Sequence, residues 1–189
     1  MKPGRRALGI AESYRGTDDG SESTLAGAVV RADRMVDDFV FGTCAVGGRD
    51  ATEAIIDCWQ RLDRPDVQYL FVAGVAPAWF SVLDLGSIRE TTDRPVIAVT
   101  FEQSEGLTDA IEDAFDGAER DARLDRYAAL PERRRVAVDG VDLFVRNVGV
   151  AEREADRLVR AYTHETRPEP LRVAQRAARA GDAFRHRRD

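Results

Sequence analysis

Three arginines near the C-terminal end of the sequence have the clearest potential for binding chemistry. Arg172, Arg176 and Arg179 are spaced i, i+4 and i+7, so on a helix they share one face. Residues 170–189 contain six arginines and two acidic residues, although the whole chain has 34 acidic and 28 basic residues. Such a stripe could follow the phosphates of a nucleic acid, and a solvated helix face is the alternative. Residues 133–135, all arginine, form a second basic patch.

The aromatic pair Trp79 and Phe80 could also contact nucleic acid. Aromatic rings stack on unpaired bases in proteins that bind single strands or flip bases. Pro77 predicts a loop here, which makes Trp79 the better stacking candidate. Core packing is the alternative for both rings, and for Phe80 it is the favoured one.

For each of three carboxylates, both a functional role and a structural role would explain its position in the sequence. Glu12 ends a segment of apolar and small residues and could simply leave the sheet there. Asp50, with Glu53 three residues later, resembles a capping box, so a helix N-cap explains it without further function. For Asp84, helix capping and function carry equal weight.

The other candidate groups are weaker. Asp18 and Asp19 are flanked by Gly and Thr and fit a solvated loop better than a ligand site. His164 fits a helix end, and His186 lies in the C-terminal tail. The sequence contains no Ser-His-Asp, zinc-ligand or phosphate-loop pattern.

An alternation of strands and helices must position these residues. Strands are predicted at residues 6–13, 25–30, 35–41, 67–72 and 95–101, with a hairpin within residues 135–150. Helices are predicted from Asp50 to the stop at Pro65 and at residues 84–92, 107–118, 152–162 and 171–180.

The apolar run at residues 67–72 predicts a central buried strand, parallel to the first strand and beside it. Ligands of open α/β sheets bind outside the carboxyl ends of such strands. The turn that follows, AGVA at residues 73–76, carries no polar side chain.

The order of the elements predicts an α/β protein with a mixed sheet. Three antiparallel strands followed by alternating helices and parallel strands is the order of the ribonuclease H-like fold. A doubly wound sheet is the alternative, but no helical pattern separates the first three strands.

Composition predicts one domain, residues 1–180, and a frayed tail at residues 181–189. The net charge of −6 argues against a generally basic nucleic-acid coat protein. Two cysteines without a secretory leader suggest a cytoplasmic protein, and no apolar run reaches transmembrane length.

Several segments, spread over almost the whole chain, carry a family resemblance. They are LGIAES (8–13), GRDATE (48–53), AG (73–74), FSVLDL (80–85), PVI (95–97) and RPEPLRVA (167–174). In these segments the sequence resembles the archaeal DUF99 family, also called UPF0215 and endonuclease dU, which is similar to endonuclease V. The resemblance implies a ribonuclease H-like endonuclease, a hydrolase of ester bonds, that acts in DNA repair on DNA containing deoxyuridine or other deaminated bases.

The resemblance also implies a metal site. Nucleases of this fold use carboxylates from the first strand, the central strand and a nearby helix to hold Mg²⁺, which activates water. Here it implies Glu12 and Asp50 as ligands of Mg²⁺ or Mn²⁺, with Asp84 or Asp19 as a possible third. Trp79 and the arginine stripe would contact the DNA.

This chain departs from the family pattern at two acidic positions. The pattern has Asp-Asp where this chain has Ala11 and Glu12, and Asp-Gly where it has Ala73 and Gly74. Adjacent strand residues point to opposite faces, so Glu12 cannot take the place of Ala11. We therefore expect a weakened nuclease, with a catalytically degenerate nucleic-acid-binding protein as the alternative. A structural protein with no nucleic-acid role is the third possibility.

Overall fold

The computed structural model describes residues 4–17 and 22–187, so Asp18 and Asp19 lie outside the described residues. In this part, one mixed sheet has the strand order β3-β2-β1-β4-β5-β7-β6. The strands are β1 (Arg6–Ser13), β2 (Glu22–Arg31), β3 (Val36–Ala45), β4 (Val67–Ala73), β5 (Val96–Thr100), β6 (Arg134–Val138) and β7 (Val141–Val148). The helical segments are α1 (Ala51–Leu62), α2 (Pro77–Phe80), α3 (Leu85–Thr92), α4 (Thr108–Ala114), α5 (Gly117–Ala128), α6 (Glu152–Tyr162) and α7 (Glu169–Arg185).

The pairing of the strands confirms the predicted α/β class and the central place of β4. β1, β2 and β3 pair antiparallel in sequence order, as predicted. β4 lies parallel to β1, with Leu8 opposite Leu70, and β5 lies parallel to β4 on its other side. β7 and β6 then complete the sheet in antiparallel orientation.

Alternation along the strands divides the core between the two faces of the sheet. Leu8 and Ile10 face α1 and α3, where Ile55 belongs to the same buried cluster. Ala7 faces the other side, in the cluster that contains Leu158 of α6. Helices on both faces explain why β1 and β4 are continuous apolar runs.

The helix predicted at residues 107–118 is instead two helices, and this prediction is wrong. α4 ends because Phe115 has extended backbone angles, and α5 begins at Gly117, whose φ is +55°. The ring of Phe115 packs against Trp79, with ring centres 4.9 Å apart. A contact with the distant central turn therefore accompanies the break, which the local apolar periodicity could not reveal.

α7 is longer than predicted, because the helix ends at Arg185 and not at Ala180. Asp182, in the segment predicted to fray, is only 3% exposed. It accepts hydrogen bonds from Arg15 at 2.5 Å and from the Thr24 hydroxyl at 3.2 Å. No helix within residues 4–17 and 22–187 is both long and apolar enough to cross a membrane.

Candidate functional site

The carboxyl ends of the parallel strands open into two adjoining cavities of about 410 and 190 Å³. Glu12, Ala73, Gly74 and Thr100 line both, and we call the two together the strand-end cleft. Ala11, Arg167 and Gln175 also line the larger cavity, and Arg133, Arg146 and Tyr127 the smaller one. The cleft is at the sheet edge where open α/β sheets bind ligands.

Glu12 lies in the cleft, but its carboxylate is already engaged by the protein. Its Oε2 accepts hydrogen bonds from the Ser23 hydroxyl at 2.7 Å and from the Ala78 backbone N–H at 2.8 Å. Burial raises the pKa of Glu12, and these two hydrogen bonds oppose the increase. Glu12 is therefore a partly desolvated carboxylate with fixed partners.

Ala11 and Ala73 meet on the opposite face of the sheet. Ala11 is 4% exposed and packs with Ala28 and Ala174, and Ala73 packs against the same cluster. Glu12 points away from this face, because adjacent strand residues alternate. The two positions where alanine stands in place of an acid of the family pattern thus place methyl groups in the cleft.

The turn after β4 has an unusual left-handed backbone. Ala78, Trp79 and Phe80 have φ values of 51°, 59° and 64°. Non-glycine residues in this region cost about 1–3 kcal/mol each and persist only where surrounding contacts hold them. Glu12 accepts from the Ala78 N–H, and the Gly47 N–H donates to the Ala78 carbonyl at 2.7 Å. Glu12 therefore has a structural role in fixing this turn.

Arg123 is an important residue that no sequence pattern singled out. Its side chain is 1% exposed, and its guanidinium donates to the carbonyls of Phe80 and Gly47 at 3.1 and 2.6 Å. It pairs with Glu119 at 2.6 Å and lies 3.8 Å from the centre of the Phe115 ring. The i, i+4 spacing to Glu119 was the only local indication, and it does not distinguish a buried arginine from an exposed one.

Trp79 packs against other aromatic rings of the protein, and part of its side chain is exposed to solvent. Its half-buried indole contacts Phe115, and its ring centre lies 6.1 Å from that of Phe80. A Cβ on Gly47 would lie 3.0 Å from the indole. These contacts support the packing alternative, and base stacking by Trp79 stays a prediction.

Asp50 precedes α1, but the predicted capping box is wrong. Its carboxylate makes no cap hydrogen bond, and both of its oxygens instead accept from the Ala45 N–H at 3.1 Å. It lines a separate cavity of about 760 Å³, together with Glu53. The carboxylate of Asp50 therefore accepts from the last residue of β3 and not from the first turn of α1.

Glu12 and Asp50 line different cavities, although both lie near Cys44. Burial, with the charges of Glu12 and Asp50, raises the pKa of the Cys44 thiol to about 12. A cation shared by the two carboxylates stays a prediction.

Asp84 is the N-cap of α3, which confirms the capping alternative. Its carboxylate accepts from the Ser87 N–H at 2.9 Å and lies 3.5 Å from Arg126. The Ser87 hydrogen bond and the Arg126 charge lower the pKa of Asp84. It lines another cavity, with Leu83 and Ala122, rather than the strand-end cleft.

The donor set of the described chain does not fit a resident metal ion. Within residues 4–17 and 22–187, no three His, Cys, Asp or Glu side chains are grouped to hold one. Glu12, Asp50 and Asp84 are each hydrogen-bonded to backbone N–H groups. Asp19, the other proposed third ligand, is outside the described residues.

The arginine stripe of α7 is only partly available for binding. Arg172 pairs with Glu169, and this contact raises the pKa of Arg172. Arg176 and Arg179 are exposed, and neither has an ion pair with a described residue. The stripe therefore offers two guanidinium groups that no carboxylate of the described residues neutralises.

The chain is similar to known proteins over nearly its whole length. A family model described as Endonuclease dU matches residues 3–181. A UPF0215 protein of Pyrobaculum calidifontis is 31% identical over 173 residues, which cover 90% of this chain and 93% of that protein.

Two solved structures resemble the fold. One is a protein of unknown function from Archaeoglobus fulgidus, with a TM-score of 0.81, 22% identity and coverage of 93% and 97% of the two chains. The other is Ciona intestinalis endonuclease V in complex with DNA containing an inosine, with a TM-score of 0.64, 12% identity and coverage of 95% and 87%. These likenesses confirm the predicted ribonuclease H-like fold.

Proposed function

The chain belongs to the endonuclease dU family, and on that premise we propose that it binds DNA next to deoxyuridine or another deaminated base and cleaves it only weakly. The DNA strand would occupy the strand-end cleft. The proposal combines the family membership with the chemistry of the side chains that line this cleft.

The observation that carries the proposal is the pair Ala11 and Ala73 in the cleft. Mg²⁺ binds to oxygen ligands in near-octahedral geometry, and an alanine side chain supplies none. Glu12 cannot compensate, because it faces away from Ala11 and already accepts two hydrogen bonds.

Binding to nucleic acid is supported by the positive groups near the cleft and on α7. Arg133, Arg146 and Arg167 line the cleft, and Arg176 and Arg179 are exposed on α7. Arginine is well suited to phosphate because its planar guanidinium donates two parallel hydrogen bonds. The Ciona endonuclease V of the same fold was solved with inosine-containing DNA, which motivates testing deaminated bases here.

A metal-dependent endonuclease is the second candidate. It is favoured by the position of the two carboxylates on either side of Cys44. Ser23, which lies opposite Cys44, donates to Glu12, and the N–H of Ala45, the residue after Cys44, donates to Asp50. In this alternative Glu12 and Asp50 would have to exchange their hydrogen bonds to backbone N–H groups for Mg²⁺ or Mn²⁺, with Asp84 or Asp19 as a third acidic group.

Strand cleavage distinguishes the two candidates. A deoxyuridine-containing oligonucleotide is incubated with Mg²⁺ or Mn²⁺ and wild type, Ala11→Asp with Ala73→Asp, or Asp50→Ala. We expect slow cutting by wild type, no further loss in Asp50→Ala, and tighter Mg²⁺ binding by the double variant in calorimetry. Asp109→Ala, which removes an exposed acid of α4, is the matched control.

Two results would change the assignment. Rapid cutting by wild type that Asp50→Ala abolishes would establish the metal-dependent endonuclease. Equal affinity of wild type for oligonucleotides with deoxyuridine and with thymidine would remove the deaminated base from the proposal.

A further inference from the structure

Three arginines from separate elements line the strand-end cleft. Arg133 lies just before β6, Arg146 on β7 and Arg167 just before α7. They come from distant parts of the chain, yet Arg133 and Arg146 line the smaller cavity and Arg167 lines the adjoining larger one.

Each of these guanidinium groups is held in place by an aromatic ring. The guanidinium carbons of Arg133 and Arg146 lie 4.9 and 5.4 Å from the ring centres of Phe144 and Tyr127. Stacking restricts the long side chain, so less entropy is lost when a ligand binds.

Arg167 is fixed in the same way. Its guanidinium carbon lies 4.3 Å from the centre of the Phe101 ring, and its Nη1 donates to Gln175 Oε1 at 2.6 Å. The other two guanidinium groups also donate to neutral acceptors. Arg133 donates to Ser104, and Arg146 donates to the carbonyl of Pro131. A guanidinium has five N–H groups, so these contacts leave donors for a ligand.

None of the three has a carboxylate within ion-pair distance among the described residues. The two arginines that follow Arg133 differ in this respect, since Arg134 pairs with Asp156 at 3.0 Å and Arg135 with Asp142 at 3.2 Å. In a chain with more acids than bases, positioned but unneutralised arginines in one cleft are a distinctive arrangement.

The acidic groups of the cleft do not cancel the three positive charges. Glu12 and Glu102 are the carboxylates that line it. Together with the three arginines they give the cleft a formal charge of +1, which favours anions. Burial also raises the pKa of Glu12, which favours its neutral form. A single Asp at Ala11 or Ala73 would cancel this excess of positive charge.

We infer that the strand-end cleft holds phosphate groups of nucleic acid directly, without a divalent cation, through Arg133 and Arg146 in the smaller cavity and Arg167 in the larger one. The inference deepens the proposed function, because DNA binding at this cleft is its premise. In this arrangement guanidinium groups perform the charge neutralisation that a metal ion would otherwise provide.

Pyrophosphate binding tests the inference independently of DNA. Inorganic pyrophosphate is titrated into the full chain in EDTA by calorimetry, and we expect saturable binding. Arg133→Gln, Arg146→Gln and Arg167→Gln should each weaken it by about tenfold to a hundredfold, the range for one hydrogen bond to a charged group. Arg135→Gln, which removes an exposed and already paired guanidinium, is the matched control and should leave the affinity unchanged.

A second variant tests the charge balance from the opposite direction. Ala73→Asp should weaken pyrophosphate binding in EDTA, because its carboxylate would neutralise the neighbouring guanidinium groups. Thermal melting of every variant establishes that it is folded. No pyrophosphate binding in EDTA, or equal affinity of wild type and the three arginine variants, would overturn the inference.

An oligonucleotide separates the inference from the proposed function. If pyrophosphate binds through the three arginines but DNA does not bind, the metal-free phosphate site stands without nucleic acid as its ligand, and the proposed function fails. If DNA binds in EDTA and the three arginine variants do not weaken it, the inference fails and the proposed function stands.

Discussion

At the scale of single residues, Glu12 shows how one carboxylate can resemble a ligand and serve the backbone. It lies at a strand end beside a cavity, where the family resemblance predicted a metal ligand. Its two hydrogen bonds connect β1 to Ser23 and to the strained turn at Ala78, and metal binding by Glu12 stays a prediction. Desolvation and hydrogen bonding act in opposite directions on its pKa, and desolvation dominates.

This balance predicts a pH-dependent contribution of Glu12 to stability. An acid with a raised pKa in the folded state binds its proton more tightly when folded, so stability is lost as pH rises above its ordinary value of 4.5. In Glu12→Gln the amide oxygen can still accept both hydrogen bonds but does not titrate. Urea unfolding between about pH 4 and pH 7 should therefore show the variant gaining stability relative to wild type as pH rises.

The matched control for this measurement is Glu90→Gln, which removes an exposed carboxylate of α3. Its difference from wild type should change less over the same pH range. A Glu12→Gln difference that stays constant with pH would show that the native carboxyl of Glu12 is not perturbed.

At the scale of elements, α7 depends on a glycine of the first strand. α7 packs against β1 and β2 and buries Leu171, Ala174 and Ala178. A Cβ on Gly9 would lie 2.2 Å from the backbone carbonyl carbon of Pro170, much closer than van der Waals contact. Gly9 therefore allows the start of α7 to approach the sheet closely.

Gly9→Ala should displace the start of α7 and destabilise the fold. Because Pro170 meets the new methyl with backbone atoms, no side-chain rotation can relieve the overlap. Overpacking of this kind costs about 1–3 kcal/mol, which urea unfolding can measure. Gly4→Ala is the control, since a Cβ there has nothing within 4 Å. Equal unfolding free energies of the two variants would refute the close-packing argument.

At the scale of the whole molecule, the separation of charge constrains the DNA binding that we propose. The net charge is −6, so the protein as a whole repels a polyanion. Binding must therefore depend on local positive groups, the arginines of the cleft and the exposed face of α7. On that face Arg176 and Arg179 are available, whereas Arg172 is paired with Glu169.

The salt dependence of DNA binding should reveal which arginines meet phosphate. Each phosphate contact contributes about −0.9 to the log–log slope of affinity against salt on duplex DNA. Arg176→Gln with Arg179→Gln should make the slope shallower by about 1 to 2, measured by fluorescence anisotropy. Arg172→Gln should change it less, because its charge is already neutralised. An unchanged slope in the double variant would assign this helix face to solvation.

The sequence by itself determined the elements and much of their order. The apolar run of β4 predicted a central parallel strand, and Asp139 with Gly140 marked the turn between β6 and β7, where both residues have positive φ. Asp84 indicated the start of α3, where the structure confirms an N-cap. These features are predictable because apolar periodicity, turn geometry and capping each depend on residues only a few positions apart.

The tertiary structure alone decided what the candidate side chains do. Glu12 meets Ala78 across 66 positions of sequence, and Arg123 meets Gly47 across 76. Arg133, just before β6, and Arg167, just before α7, line the two cavities of one cleft. No local pattern encodes such contacts, because they exist only once the strands have paired and the helices have packed on them. A charged side chain acquires its partner, its burial and its pKa at that stage.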